Sequence, residues 1–162
     1  MKPVIWAAIS GAVGLAWITM ESVIGMHADD TSYATTMLWL IIPPVCSIGA
    51  MAHQRMNADT LTYGQVLKTG FLTAIYGGLV LGVVWFIVAQ VLAPDYPEMM
   101  IRSVAAKSIA AGEDPLATAQ RVKMGRMLFD DTTILLLGGL MPVVTGSIAS
   151  LVAALGLQKR RS

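Results

Sequence analysis

Four long apolar stretches constrain this chain more than any other feature of its sequence. They cover residues 4–23, 34–52, 70–93 and 132–157, and Glu21 is the only charged residue among them. A run of about 20 apolar residues forms a helix long enough to cross the roughly 30 Å hydrocarbon core of a bilayer. Because lipid provides no hydrogen-bond partner for the backbone, each run must be helical. The sequence therefore predicts an all-α fold, a polytopic membrane protein with a four-transmembrane-helix bundle in a single membrane domain over residues 1–162.

The composition excludes several other classes of protein. Hydrophobic residues make up 56% of the 162 residues and charged residues only 13%, whereas a soluble domain carries about 25% charged residues. The net charge of +1 argues against nucleic acid as a partner, because electrostatic binding of nucleic acid requires a concentrated basic surface. The single cysteine, Cys46, excludes an internal disulfide and a cysteine-cluster metal site. Membrane lipids are therefore the expected surroundings of most of the protein.

The charges between the apolar stretches predict the orientation of the chain. The first connection carries Asp29 and Asp30 and contains no Lys or Arg. On the side of the membrane opposite to this connection lie Lys2, Arg55, Lys68 and the basic tail at 159–161. By the positive-inside rule, both termini are predicted to be cytoplasmic, although the connection at 94–131 brings five basic residues to the predicted outer side. The first stretch exceeds the apolar region of a signal peptide, so we expect a retained helix.

The outer connection at 94–131 has helix signals of its own. Pro97 suits the first turn of a helix, and Gly112 suits a helix end. Asp114 followed by Pro115 is the pattern of an N-cap with proline at the first helical position. We therefore predict a two-helix outer hairpin between spans three and four, either lying on the outer membrane surface or capping the bundle.

Small residues spaced four apart predict how the helices pack, because this spacing keeps them on one helix face and lets two backbones approach closely. The first span contains weaker versions of the pattern, Ala7 with Gly11 and Ser10 with Gly14. Two interpretations remain open, packing inside one bundle and a homo-oligomer interface. The predicted helix-packing residues are Gly70, Ala74, Gly78 and Gly82 on the third span, and Gly138, Gly146, Ser150 and Ala154 on the fourth.

Few residues are candidates for chemistry. Glu21 is the candidate for proton or cation transport, because an ionisable group inside a membrane usually faces a cavity, a partner or water. The alternative is that Glu21 reaches the interface or pairs with a basic residue such as Arg126. Oxygen ligands at the outer ends of the spans are weak candidates for a metal site, with no matching metal motif. These weak candidates are His27, Asp29, Asp30, Asp130 and Asp131. No catalytic residue is identified, and no cofactor is predicted.

Three local patterns give the chain a resemblance to a known family. The sequence TYGQVLKTG at 62–70 is expected to begin the helix of the third span, and VLAPDY at 91–96 ends it. After the predicted hairpin, a proline-containing fourth span closes with KRR at 159–161. The chain resembles the bacterial four-helix membrane proteins of domain-of-unknown-function family 4199. The resemblance implies a bacterial inner-membrane protein and carries no activity and no catalytic residues.

The first hypothesis for the function is a non-enzymatic structural or accessory subunit, which forms a homo-oligomer or associates with a larger membrane complex. It depends on the small-residue patterns and on the shortage of reactive groups. The alternative is a small transporter or channel for protons, cations or a lipid-like molecule, which uses Glu21 and the acidic residues of the outer rim.

Overall fold

The computed structural model describes residues 2–24, 39–92, 94–128 and 130–158. Within these ranges the secondary structure is helical and contains no β-strand, as the sequence predicts. The six α-helices are α1 (Pro3–Ile24), α2 (Ile42–Met56), α3 (Tyr63–Ile87), α4 (Tyr96–Ala110), α5 (Pro115–Leu128) and α6 (Asp131–Leu157). A 3-10 turn, Trp39–Ile41, precedes α2, and a π-helical turn, Val88–Leu92, extends α3.

Three of the helical segments are long and apolar enough to cross a membrane. They are Pro3–Glu21, Tyr63–Leu92 and Thr132–Leu157, and they match the first, third and fourth predicted spans. The helix α2 has only 15 residues, and residues 34–38 of the second predicted span lie outside the described ranges. The membrane character predicted from the sequence is supported by three helices, and a fourth span remains a prediction.

The helices α1, α2, α3 and α6 pack side by side, with α3 in contact with each of the others. The order of the contacts along the chain shows that α1 runs parallel to α3, α6 runs antiparallel to α3, and α2 runs parallel to α6. The pairs that define these directions are Ser10–Gly77 and Gly14–Leu81 for α1 and α3, Ser150–Gly70 and Gly139–Gly82 for α6 and α3, and Gly146–Ser47 and Gly156–Arg55 for α6 and α2.

The helix α3 begins seven residues before the predicted span, at a complete capping box. The Thr62 side chain accepts a hydrogen bond from the backbone N–H of Gln65, and the Gln65 side chain accepts one from the Thr62 N–H at 2.9 Å. These two bonds satisfy backbone donors that a helix start leaves free. The cap lies beside an apolar cluster that includes Val66, Met51 and Ala154. The expectation that the sequence at 62–70 begins the third helix is therefore confirmed.

Two prolines that the sequence places inside the second span lie at the start of α2. The α-helix begins at Ile42, so Pro43 and Pro44 occupy its first turn. Backbone N–H groups have no intrahelical acceptor there, so proline costs little in that position. Within the described residues, these prolines thus start an α-helix after a 3-10 turn, and they do not interrupt one.

The helices α4 and α5 form a hairpin at one end of the bundle. Asp114 accepts a hydrogen bond from the backbone N–H of Leu116 at 3.0 Å, and Gly112 makes the turn with a φ of 69°. The two helices meet where Gly125 faces Ile101. The side chain of Met100, only 3% exposed, enters the bundle's apolar cluster. Of the two expected arrangements, α4 therefore caps the bundle, whereas α5 stays on the outside.

Candidate functional site

Glu21 is the charged side chain that the structure buries most deeply among the described residues. It lies in the last turn of α1, is 2% exposed, and accepts a hydrogen bond from the indole Nε1 of Trp17 at 2.9 Å. One turn earlier, Ile18 belongs to an apolar cluster with Trp85 and Met100. A carboxyl group in such surroundings is costly unless it is hydrogen-bonded. The structure places Glu21 inside the protein, at the end of the bundle that α4 covers.

A second polar group lies deeper in the bundle and was missed as a group by the sequence reasoning. Ser10, Ser47 and Thr73 come from α1, α2 and α3, and each is at most 1% exposed. The hydroxyl of Thr73 donates to the carbonyl oxygen of Thr69 at 2.9 Å. The hydroxyl of Ser47 has no hydrogen-bond partner among the described residues, whereas the Ser10 side chain contacts that of Cys46. A buried polar atom without a partner costs about 1–3 kcal/mol, so Ser47 reduces the stability of the bundle.

The two polar groups are separated along α1 by tight apolar packing. Gly14 lies between Ser10 and Glu21, and the side chain of Leu81 fills the space beside it so closely that a Cβ on Gly14 would overlap it at 2.5 Å. Ile18, 1% exposed, closes the next turn. The described residues therefore form no continuous row of polar side chains from Glu21 to the hydroxyls.

The predicted helix-packing residues of α3 and α6 all lie inside the bundle, where the two helices approach closely. A Cβ on Gly78 would lie 2.6 Å from the carbonyl oxygen of Gly139, and one on Gly70 would overlap the Ser150 hydroxyl. The hydroxyl of Ser150 donates to the Gly146 carbonyl at 2.7 Å. The buried positions are Gly70, Ala74, Gly78, Gly82, Gly138, Gly146, Ser150 and Ala154. Because these residues are buried between helices of the same chain, they do not form an exposed interface.

The described part of the chain leaves a different small-residue face of α1 exposed. Ala8, Ala12 and Ala16 follow each other at four-residue spacing, and all three are exposed. Ala12 and Ala16 line a shallow groove of about 700 Å³ along α1. The sequence reasoning identified only the opposite face of this helix. The exposed face could have been found from the sequence, because its alanines have the same four-residue spacing as the glycines of α3.

The weak metal candidates are not assembled by the part of the chain that the structure describes. Asp130 caps α6, where its carboxylate accepts a hydrogen bond from the Thr132 N–H at 3.3 Å. His27, Asp29 and Asp30 lie outside the described residues, and so does the side chain of Asp131. In the described ranges, no group of three or more His, Cys, Asp or Glu side chains is placed to hold a metal ion.

Comparison with known proteins identifies the family of the chain but does not indicate an activity. A family model described as "Protein of unknown function (DUF4199)" matches residues 5–159. No curated protein gives a match to the chain, and neither does any solved structure. The resemblance seen in the sequence is confirmed over nearly the whole chain.

Proposed function

Since the chain belongs to this family of proteins of unknown function, we propose from its own surface that it is a non-enzymatic integral membrane protein. It acts as a structural or accessory subunit, and it associates with a second copy or with a larger membrane complex through the outer face of α1. The observation that carries this proposal is the exposed row Ala8, Ala12 and Ala16 on a helix apolar enough to span a membrane.

Small residues favour association in a bilayer for a physical reason. Lipid tails are as apolar as leucine, so helices gain little from burying large apolar side chains, and close van der Waals packing of backbones becomes the main attraction. The groove along α1 is edged by larger side chains, Leu15 and Met20 among them. A partner helix placed in it would contact the α1 backbone at the alanines. The corresponding faces of α3 and α6 already contact each other, which leaves α1 as the candidate.

The test uses a substitution that enlarges this face. We expect the protein, gently extracted and examined by native mass spectrometry, to give a homo-oligomer or a complex with another subunit. Ala12→Ile is expected to abolish this assembly and leave the mass of the monomer, because the larger side chain keeps the partner helix away from α1. Val152→Phe is the control, since Val152 is 68% exposed on α6 and its enlargement fills no groove of α1. A monomer for the wild type, or an assembly that Ala12→Ile leaves intact, contradicts the proposal.

Cysteine crosslinking separates the two kinds of partner. Cys46 is the single cysteine, so a Cys46→Ala background carrying Ala12→Cys has one reactive thiol. Oxidation in the native membrane is expected to give a crosslinked dimer if the partner is a second copy. A mass increase in native mass spectrometry without that dimer identifies a different subunit as the partner.

The proposed orientation places the membrane protein in a bacterial inner membrane with both termini in the cytoplasm. Its support is the distribution of charge, with Arg55 and Lys68 at the end of the bundle opposite to the hairpin. Ala111→Cys, in the exposed hairpin turn, provides the test in the Cys46→Ala background. A thiol reagent that does not cross the inner membrane is expected to label it in intact spheroplasts. If labelling requires permeabilised membranes, the hairpin is on the cytoplasmic side, and the orientation is the opposite of the proposed one.

A second candidate function, transport of protons or cations, is favoured by one observation, the burial of Glu21 inside an apolar end of the bundle. Ionisable groups at such positions commonly belong to transport pathways. The packing of Leu81 against Gly14 counts against a pathway through one copy of the chain. Flux into proteoliposomes that is equal for the wild type and Glu21→Gln eliminates this candidate, and a loss of flux in the variant supports it.

A further inference from the structure

The helix α5 exposes large apolar side chains that none of the residues described by the structure covers. None of its residues is buried, and its contact with α4 is made through Gly125, which faces Ile101. The exposed fractions are 68% for Leu116, 63% for Met124, 64% for Met127 and 48% for Leu128. Exposed apolar surface of this kind marks a contact with another protein or with a membrane.

These side chains form one face of the helix, and basic residues border it. At about 100° per residue, the four apolar side chains fall within about 120° of the helix circumference, a sector that also contains Gln120. Lys123 lies about 20° beyond one edge of this sector and Arg121 about 20° beyond the other, while Arg126 lies farther round the helix, about 80° beyond the edge that Lys123 borders. An apolar face bordered by cations is typical of a helix that lies in the membrane interface, with its charged groups at the level of the lipid headgroups.

Two of the three cations are free to bind an anion from outside the chain. Arg121 forms an ion pair with Glu113 at 2.8 Å. Lys123 and Arg126 make no ion pair with any residue in the described ranges. Both line an open depression of about 390 Å³, together with Met127, Asp130 and Thr133. The Asp130 carboxylate faces the same depression, where the Thr132 N–H compensates part of its charge.

The connection to α6 holds this depression at the membrane surface. The helix α5 ends at Leu128, and α6 begins at Asp131. The segment Thr132–Leu157 has 26 residues and is long enough to span a membrane, so the end of α5 is at the depth where that span begins. A protein partner would not need the cations beside the apolar face, whereas an anionic lipid surface matches both features at once.

We propose that α5 lies flat in the headgroup layer and binds anionic phospholipids. The apolar face enters the boundary of the acyl chains, and Lys123 and Arg126 bind the phosphate groups of the headgroups. This inference concerns the hairpin alone and does not depend on the proposed association through α1.

The experiment measures the lipid contact of α5 in the full-length, reconstituted protein. Met124→Cys in the Cys46→Ala background is labelled with an environment-sensitive fluorophore, and Met127→Cys provides a second position on the same face. Two sets of vesicles are used, and both contain phosphatidylcholine and phosphatidylglycerol. In one set the phosphatidylcholine carries a nitroxide on its acyl chain, and in the other set the phosphatidylglycerol does. We expect quenching by both lipids and stronger quenching by the phosphatidylglycerol. Lys123→Gln with Arg126→Gln is expected to reduce this preference, on the order of fivefold for each cation removed.

The label at Ala111→Cys is the control, because this residue lies in the exposed turn of the hairpin. It is expected to be quenched by a water-soluble reagent and to show no preference between the lipids. A face label as accessible to water as the turn label overturns the proposal. Shielding from both water and lipid overturns it as well and identifies a protein as the occupant. If the double glutamine variant keeps the preference for phosphatidylglycerol, Lys123 and Arg126 do not bind the headgroups, and the proposal is wrong for these two residues.

Discussion

The contact between α3 and α6 and the contact between α4 and α5 both contain glycine, yet they differ in how much room they leave. In the bundle, a Cβ on Gly78 would be 2.6 Å from a backbone oxygen, whereas a Cβ on Gly125 in the hairpin would be 3.5 Å from Cγ1 of the Ile101 side chain. The first contact depends on the absence of a side chain, and the second does not. The bundle is thus specified by close backbone packing, whereas the hairpin is attached by a few side chains and leaves α5 exposed.

The largest effect that tests this comparison is expected for Gly78→Ala. Its Cβ would overlap the Gly139 carbonyl oxygen and the Val143 side chain, and because backbone cannot rotate away, α3 and α6 must separate. We expect a loss of about 3 kcal/mol of unfolding free energy, measured by unfolding in mixed micelles. Unchanged stability would show that the two helices are not in close contact.

The next effect concerns Met100, a side chain that attaches the hairpin to the bundle. Met100→Ala removes a side chain that is 3% exposed in the cluster of Ile18 and Trp85, which is expected to cost about 2 kcal/mol. Met124→Ala, the same change at a side chain that is 63% exposed, is expected to stay within about 0.5 kcal/mol. Limited proteolysis of the hairpin should show the same difference. Equal effects would mean that α4 does not cap the bundle.

A smaller effect is expected at the start of α3. Thr62→Ala removes the side chain that accepts from the Gln65 N–H, and a lost N-cap costs about 1 kcal/mol. Thr62→Ser keeps the hydroxyl and is expected to restore most of this loss. Unfolding free energies that do not distinguish the two variants would show that the capping box makes no contribution.

The smallest effect has the opposite sign. Gly125→Ala places a methyl group at ordinary contact distance from Ile101, and alanine favours a helix over glycine by about 0.8–1.0 kcal/mol. The hairpin should therefore become slightly more stable, with slower amide hydrogen exchange in α5. Faster exchange would show that α4 and α5 approach each other more closely than this contact indicates.

The local chemistry of the hairpin was readable from the sequence. Asp114, Pro115 and Gly112 specify a helix end, a turn and a helix start through neighbouring residues alone, and the structure has them in these places. The role of Pro43 and Pro44 was less readable, because a proline pair in an apolar run fits the middle of a kinked helix as well as a first turn. The grouping of Ser10, Ser47 and Thr73 depends on three helices meeting, and no spacing along the chain encodes it.

By itself, the sequence determined that the chain is helical and apolar enough for a membrane, because lipid leaves an uninterrupted apolar segment no other way to satisfy its backbone. It also determined that α3 and α6 carry faces of small residues. Only the tertiary structure decided which small-residue face of α1 is used. Ser10 and Gly14 face the bundle, and Ala8, Ala12 and Ala16 face outwards. Both rows have the same four-residue spacing, so periodicity cannot distinguish them, and the difference arises from the shapes of the helices packed against α1.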